Sequence, residues 1–95
     1  MTEPFVRFRL YVAGDAPYSQ RAVANLHAFC RTHLPERHAV EIVDLLSQPE
    51  RALTDMVLLT PTLSIVEPPP LRSIIGDLSD TSVLEHLLLP NRGGQ

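Results

Sequence analysis

The side chains of this 95-residue sequence that could do chemistry are one cysteine, four histidines and a scatter of serines and carboxylates. A thiol becomes a redox or nucleophilic centre where a helix N-terminus, a cation or a second cysteine lowers its pKa. The strand-to-helix turn placed for that, AGDAPYSQ (residues 13–20), holds no cysteine. Cys30 lies about three turns into the helical stretch that follows, beside Leu26 and Phe29 on an apolar stripe. There a free cysteine behaves as a small hydrophobe. This argues against thiol–disulfide chemistry. A zinc site needs three or four convergent ligands at a recognisable spacing. The candidates are His27, His33, His38 and Cys30; Cys30 and His33 can share a helix face, His27 and His33 fall on different ones, and His86 stands alone. The expectation is solvated histidines, with no metal and no cofactor. None of Ser19, Ser47, Ser64, Ser73, Ser79 and Ser82 stands in a G-x-S-x-G elbow. The chain's four glycines form no phosphate-binding loop. Asp77 and Asp80 sit where a helix begins, and the helix dipole stabilises negative charge there. No active site assembles from this set, which leaves a non-enzymatic interaction module.

Charge and composition narrow the partners. The formal charge of −3 is spread evenly, with six acids and five arginines before residue 51 and five acids and three arginines after it. No basic stripe exists for a nucleic-acid backbone. No apolar run approaches the ~18 residues of a membrane span, and no charged start followed by an apolar block marks a signal peptide. The expectation is a cytoplasmic protein that binds neither nucleic acid nor membrane. All eight cations are arginine; arginine suits bidentate pairing at interfaces, but a GC-rich genome gives the same bias and is the preferred reading. The length suits one domain over 1–95, with 91–95 expected to be a flexible tail.

The elements that must position these residues follow from periodicity. Phe5 to Ala13 alternates, with Val6, Phe8, Leu10 and Val12 on one face, so it predicts a strand. Ser19 is placed to cap a helix whose apolar residues, Ala22, Val23, Leu26, Phe29, Cys30 and Leu34, recur at helical spacing to about His33. Ala39–Leu46 is a β-branched run and predicts a second strand. Ser47 and Glu50 have the spacing of a capping box, with Pro49 early in a short helix that runs to about Met56. Thr62–Val66 and Leu71–Gly76 predict strands joined through Pro68, Pro69 and Pro70, which cannot donate to a ladder. A last helix is predicted over Asp80–Leu89. A strand-helix-strand start implies a parallel pair with a right-handed crossover, and the two later strands imply an antiparallel hairpin. The fold class is thus α/β, a thioredoxin-like βαβαββα chain with a mixed four-stranded sheet. Thr60-Pro61-Thr62 is similar to the cis-proline segment of such proteins, so a cis bond is expected at Pro61.

The stretches RLYVAGDAPYSQRAVANL, VEIVDLLSQPERA and LLTPTLSIVEPPPLRSIIGDLSD together resemble the KaiB family. The likeness runs from about Phe8 to Leu89 and is carried by LYVAG, TPTL, PPP and IIGDLS at their spacing. The resemblance implies a partner-binding protein. KaiB-like proteins bind KaiC-like double-ring ATPases, and the complex captures KaiA where one exists. A related domain begins the SasA-type sensor histidine kinases. The family is also metamorphic, with a βαββααβ tetramer as the alternative to the thioredoxin-like monomer, and the chain from about Ser47 onward is rebuilt between them. The last helix here lacks the glycine that clock members carry at its centre, and an interior glycine costs ~1 kcal/mol, so the thioredoxin-like form is expected at rest. Of the matched positions, the first helix and the turn before it are the expected contact surface, through Asp15, Pro17, Tyr18 and Arg21. Arg72 is a further candidate, and the three prolines would stiffen a hairpin beside this surface. Read without the family, Asp15 and Pro17 are turn residues. The alternative function is a thioredoxin-like stress or redox-signalling protein, or a chaperone-like binder, acting through Cys30.

Overall fold

The computed structural model describes residues 5–89, so the tail at 91–95 lies outside the described residues. The alternating stretch forms β1 (Val6–Val12), and the helical period that follows it forms α1 (Pro17–His33). Next come β2 (His38–Asp44), α2 (Glu50–Thr54), β3 (Thr62–Glu67), β4 (Arg72–Ile75) and α3 (Ser82–Leu88). The strands lie in the order β2-β1-β3-β4; β1 pairs parallel with β2 and antiparallel with β3, and β4 pairs antiparallel with β3. This is the mixed four-stranded, thioredoxin-like arrangement, in the order βαβαββα rather than βαββααβ.

One sheet face carries the core. Val6, Phe8, Leu10 and Val12 of β1 and Leu63 and Ile65 of β3 pack against Ala22, Leu26, Phe29 and Cys30 of α1 and Leu84 of α3. Period two on the strand and 3.6 on the helix place these side chains in one layer. The opposite face is different. α2 covers it but buries none of its own residues.

Two expected side-chain caps do not form. Pro17, whose missing N–H costs nothing at a first helical position, starts α1 two residues before Ser19. Ser19 is instead buried inside the first turn, where its Oγ accepts the N–H of Ala13 at 3.1 Å. Ser47 and Glu50 form no capping box. Asp44 is the stronger acceptor nearby: its carboxylate takes the N–H of Gly14 and of Leu46, each at 2.9 Å, and the hydroxyl of Ser47 at 3.3 Å. These donors, the Leu46 and Gly14 amides foremost, hold the Asp44 carboxyl below its ordinary pKa. Among the described residues the Thr60–Pro61, Glu67–Pro68 and Pro69–Pro70 bonds are cis.

Candidate functional site

The candidate surface lies at the C-terminal end of β1. Gly14 turns the chain there with φ +54, a conformation that side chains disfavour. A Cβ on it would also come within 2.8 Å of Leu46 Cδ1. Its amide is bonded to Asp44, so β2 fixes the turn from the side. The turn then presents Asp15, Pro17, Tyr18 and Arg21 to solvent, Tyr18 with 62% of its surface exposed. The Arg21 guanidinium carbon lies 4.4 Å above the Tyr18 ring, and Arg21 Nε donates to Asp77 Oδ2 at 3.1 Å. Asn25 Nδ2 donates to the Asp77 carbonyl at 2.9 Å, and Asp77 Oδ1 accepts the N–H of Ser79 at 3.0 Å. The Ser79 N–H, then the Ser79 hydroxyl and Arg21, pull the Asp77 carboxyl below its ordinary pKa. α1 and the segment before α3 therefore form one surface, with an aromatic ring and a guanidinium held in register on it. Pro61 is buried at this same end of the sheet, where its carbonyl accepts the N–H of Gly76 at 2.9 Å.

Arg72 is elsewhere. The registers place Thr62 opposite Tyr11 at this end, and Arg72 opposite Ile65, towards the far end of β3. Its Nε donates to the Pro70 carbonyl at 3.0 Å and its Nη2 to that of Pro68 at 3.2 Å, so it clamps the proline turn. Both that turn and Arg72 lie at the opposite end of the sheet from Asp15, Pro17, Tyr18 and Arg21.

Cys30 is buried beside Leu26, and burial pushes its thiol up to about 11. That is the opposite of what a reactive cysteine requires. Among the described residues no group of three or more His, Cys, Asp or Glu is gathered to hold a metal ion, and no helix is long and apolar enough to cross a membrane.

Sequence reasoning missed the second sheet face. Tyr11, on the side of β1 facing away from the core, donates from its hydroxyl to Asp55 Oδ2 at 2.6 Å. Arg51 Nε donates to Asp55 at 3.1 Å, and Arg9 Nε donates to Glu41 at 2.8 Å. Polar contacts thus hold α2 on the sheet. Beside them runs a groove of about 540 Å³ floored by Thr62, Ser64 and Ser73 and edged by Met56–Leu59, Leu71 and Ile75. The edge residues Met56, Leu58, Leu59, Leu71 and Ile75 are all exposed. The one signal in the sequence was the apolar run VLL (57–59) after α2, which fits neither helical nor strand period.

The Tyr11–Asp55 bond gives a testable linkage. The Tyr11 hydroxyl, ahead of Arg51, lowers the Asp55 pKa. A carboxylate whose pKa is depressed by folding stabilises the fold above its unfolded value, near 3.9, and loses that contribution as pH falls through the folded value. Tyr11→Phe should cost about 1–2 kcal/mol at pH 7, and the difference from the parent should shrink below about pH 4. Urea midpoints measured at pH 7 and pH 3 check this; a pH-independent difference would assign the loss to packing.

The fold and this turn define a thioredoxin-like domain with no cysteine at its strand-to-helix turn. Among solved structures it is similar to the N-terminal domain of Synechococcus elongatus SasA, with a TM-score of 0.74 and 21% identity over 98% of this chain and 90% of that one. It is likewise similar to mitochondrial thioredoxin 3 from Saccharomyces cerevisiae, with a TM-score of 0.70 and 16% identity over 90% of this chain and 77% of that one. In sequence it is 47% identical over 73 residues to the circadian clock protein KaiB3 of Synechocystis sp., covering 77% of this chain and 72% of that protein. It is 46% identical to the circadian clock oscillator protein KaiB of Prochlorococcus marinus, covering 76% of this chain and 63% of that protein. The KaiB domain model matches residues 9–90, and the chain belongs to the KaiB family.

Proposed function

We propose that this chain is a non-enzymatic adaptor that binds a KaiC-like ATPase ring in circadian or clock-related regulation, and that it joins any KaiA through that complex. The relatives named as clock proteins support the role. The observation that carries the binding mode is the exposed Tyr18 ring beneath the Arg21 guanidinium, itself bonded to Asp77. Interface energy concentrates in tyrosine and arginine side chains, and a pair already ordered in the free protein loses little freedom on docking. Asp15 and Pro17 extend the same surface. Arg72 contributes to it only through a second contact at the other end of the sheet.

The test is capture of a purified KaiC-like ring by the chain and its variants. Asp15→Ala and Arg21→Ala should each weaken capture by ~1–3 kcal/mol if they lie in the interface core. Unchanged capture by both would move the interface elsewhere.

The redox alternative has a separate measurement. Cys30 should react with iodoacetamide in the native state far more slowly than a free thiol does, because a buried thiol with a raised pKa has little thiolate at pH 7.5. Labelling as fast as in urea would favour a thiol-based function.

A further inference from the structure

Among the described residues β4 is an edge strand that pairs only with β3. The bond from Gly76 N–H to the Pro61 carbonyl sets the phase of that ladder. In an antiparallel pair successive residues alternate between facing the partner strand and facing away. Arg72 and Ile74 therefore turn their backbone groups to β3, and Ser73 and Ile75 turn theirs to the open edge. The side chains follow the same period. Ile74 packs on the core, whereas Leu71, 66% exposed, and Ile75, 63% exposed, flank Ser73 on the groove face.

We propose that this edge pairs with the same edge of a second copy, antiparallel about Ser73, to make a weak two-fold homodimer with one continuous sheet. A two-fold contact must be self-complementary, and this edge is. About Ser73, each Leu71 falls opposite the Ile75 of the other copy, and the two Ser73 residues exchange both backbone hydrogen bonds. Charge permits the approach as well. The charged residue of β4, Arg72, is held by the Pro68 and Pro70 carbonyls. Arg9 and Asp55 in the groove are already paired, with Glu41 and with Tyr11 and Arg51. A second copy therefore meets a neutral, apolar rim like its own. The other open edge, β2, carries Glu41 and Asp44, the kind of charge that guards an edge against pairing. A contact centred on a four-residue strand is small, at the low end of interface sizes, so the association is micromolar rather than permanent.

Sedimentation equilibrium of the full chain from about 1 to 500 μM should show a monomer–dimer equilibrium with Kd on the order of 10–100 μM, in keeping with so small an interface. Ser73→Pro removes an outward N–H, which an edge strand tolerates, together with the Ser73 hydroxyl contact to Ser64 at 3.2 Å, and Ile75→Lys sets a charge opposite the apolar Leu71 of the other copy. Each should weaken the dimer by about tenfold or more, since each removes or opposes a central pairing contact, and with Ile75→Lys, at an exposed position, the thermal melt at 1 μM stays in place. Hydrogen exchange at the Ser73 and Ile75 amides should slow with concentration in the parent chain, which reads the pairing without any substitution. A chain monomeric throughout the range would overturn the proposal. So would a dimer indifferent to both variants, or one lost instead in Ile42→Lys on β2.

Discussion

Leu26→Ala is expected to remove about 2–5 kcal/mol of stability, as deletion of a fully buried leucine does when the cavity only partly collapses. Leu26 has no exposed surface, and it lies in the cluster with Phe8, Leu10, Leu63 and Ile65 that joins α1 to the sheet. A domain of this size has about 5–15 kcal/mol in all, so the substitution takes a large share. Each kcal/mol moves the melting midpoint of such a domain by about 4–8 °C, which puts the expected fall at about 8–40 °C. Leu53→Ala is the contrast. Leu53 is one helix residue among others on α2, almost wholly exposed, and its loss should stay within about 0.5 kcal/mol. Urea unfolding of the two variants with unchanged m values separates them. A loss below about 1 kcal/mol for Leu26→Ala would mean that the core relaxes fully around the gap, contrary to the packing described.

The second large effect concerns binding. Tyr18→Ala and Arg21→Ala combined should weaken capture of a KaiC-like ring by about 2–4 kcal/mol, or roughly 30- to 1000-fold. The ring and the guanidinium hold each other in position, so the double variant should lose less than the sum of the two single ones. Stability should barely change. Both side chains are exposed, and an exposed ion pair such as Arg21–Asp77 contributes little to stability. A double variant that binds like the parent would remove this surface from the interface; one that binds poorly because it is unfolded would be recognised by its melt.

Much of this was legible from residue types. Val6, Phe8, Leu10 and Val12 mark their strand by period two, and Ala22, Leu26, Phe29 and Cys30 mark their helix by its own period, because each set serves one core layer. The proline turn and the glycine at 76 bracket β4. Local signals failed where a distant group competed. Ser47 has the spacing of a cap, yet it turns to the carboxylate of Asp44 at the end of β2. Ser19 satisfies Ala13 rather than its own helix. The Tyr11–Asp55 bond spans 44 positions and has no local trace. The same is true of Arg72: its place in the sequence makes it a further candidate for the contact surface, and only the sheet register shows it at the far end from Tyr18. The exposed apolar rim of the groove was hidden for the opposite reason, since an apolar run such as 57–59 looks like core, yet Leu58 and Leu59 are exposed.

One binding experiment bears on the proposed function above all others: titration of a purified KaiC-like ATPase ring with the full chain, followed by calorimetry or size-exclusion with light scattering. A saturable complex is expected, with the chain's thioredoxin-like fold retained in it and with affinity falling by about tenfold or more in Arg21→Ala, as for a residue at an interface centre. No complex at any concentration of the folded chain, or one whose affinity is the same in Asp15→Ala, Tyr18→Ala and Arg21→Ala, would contradict it.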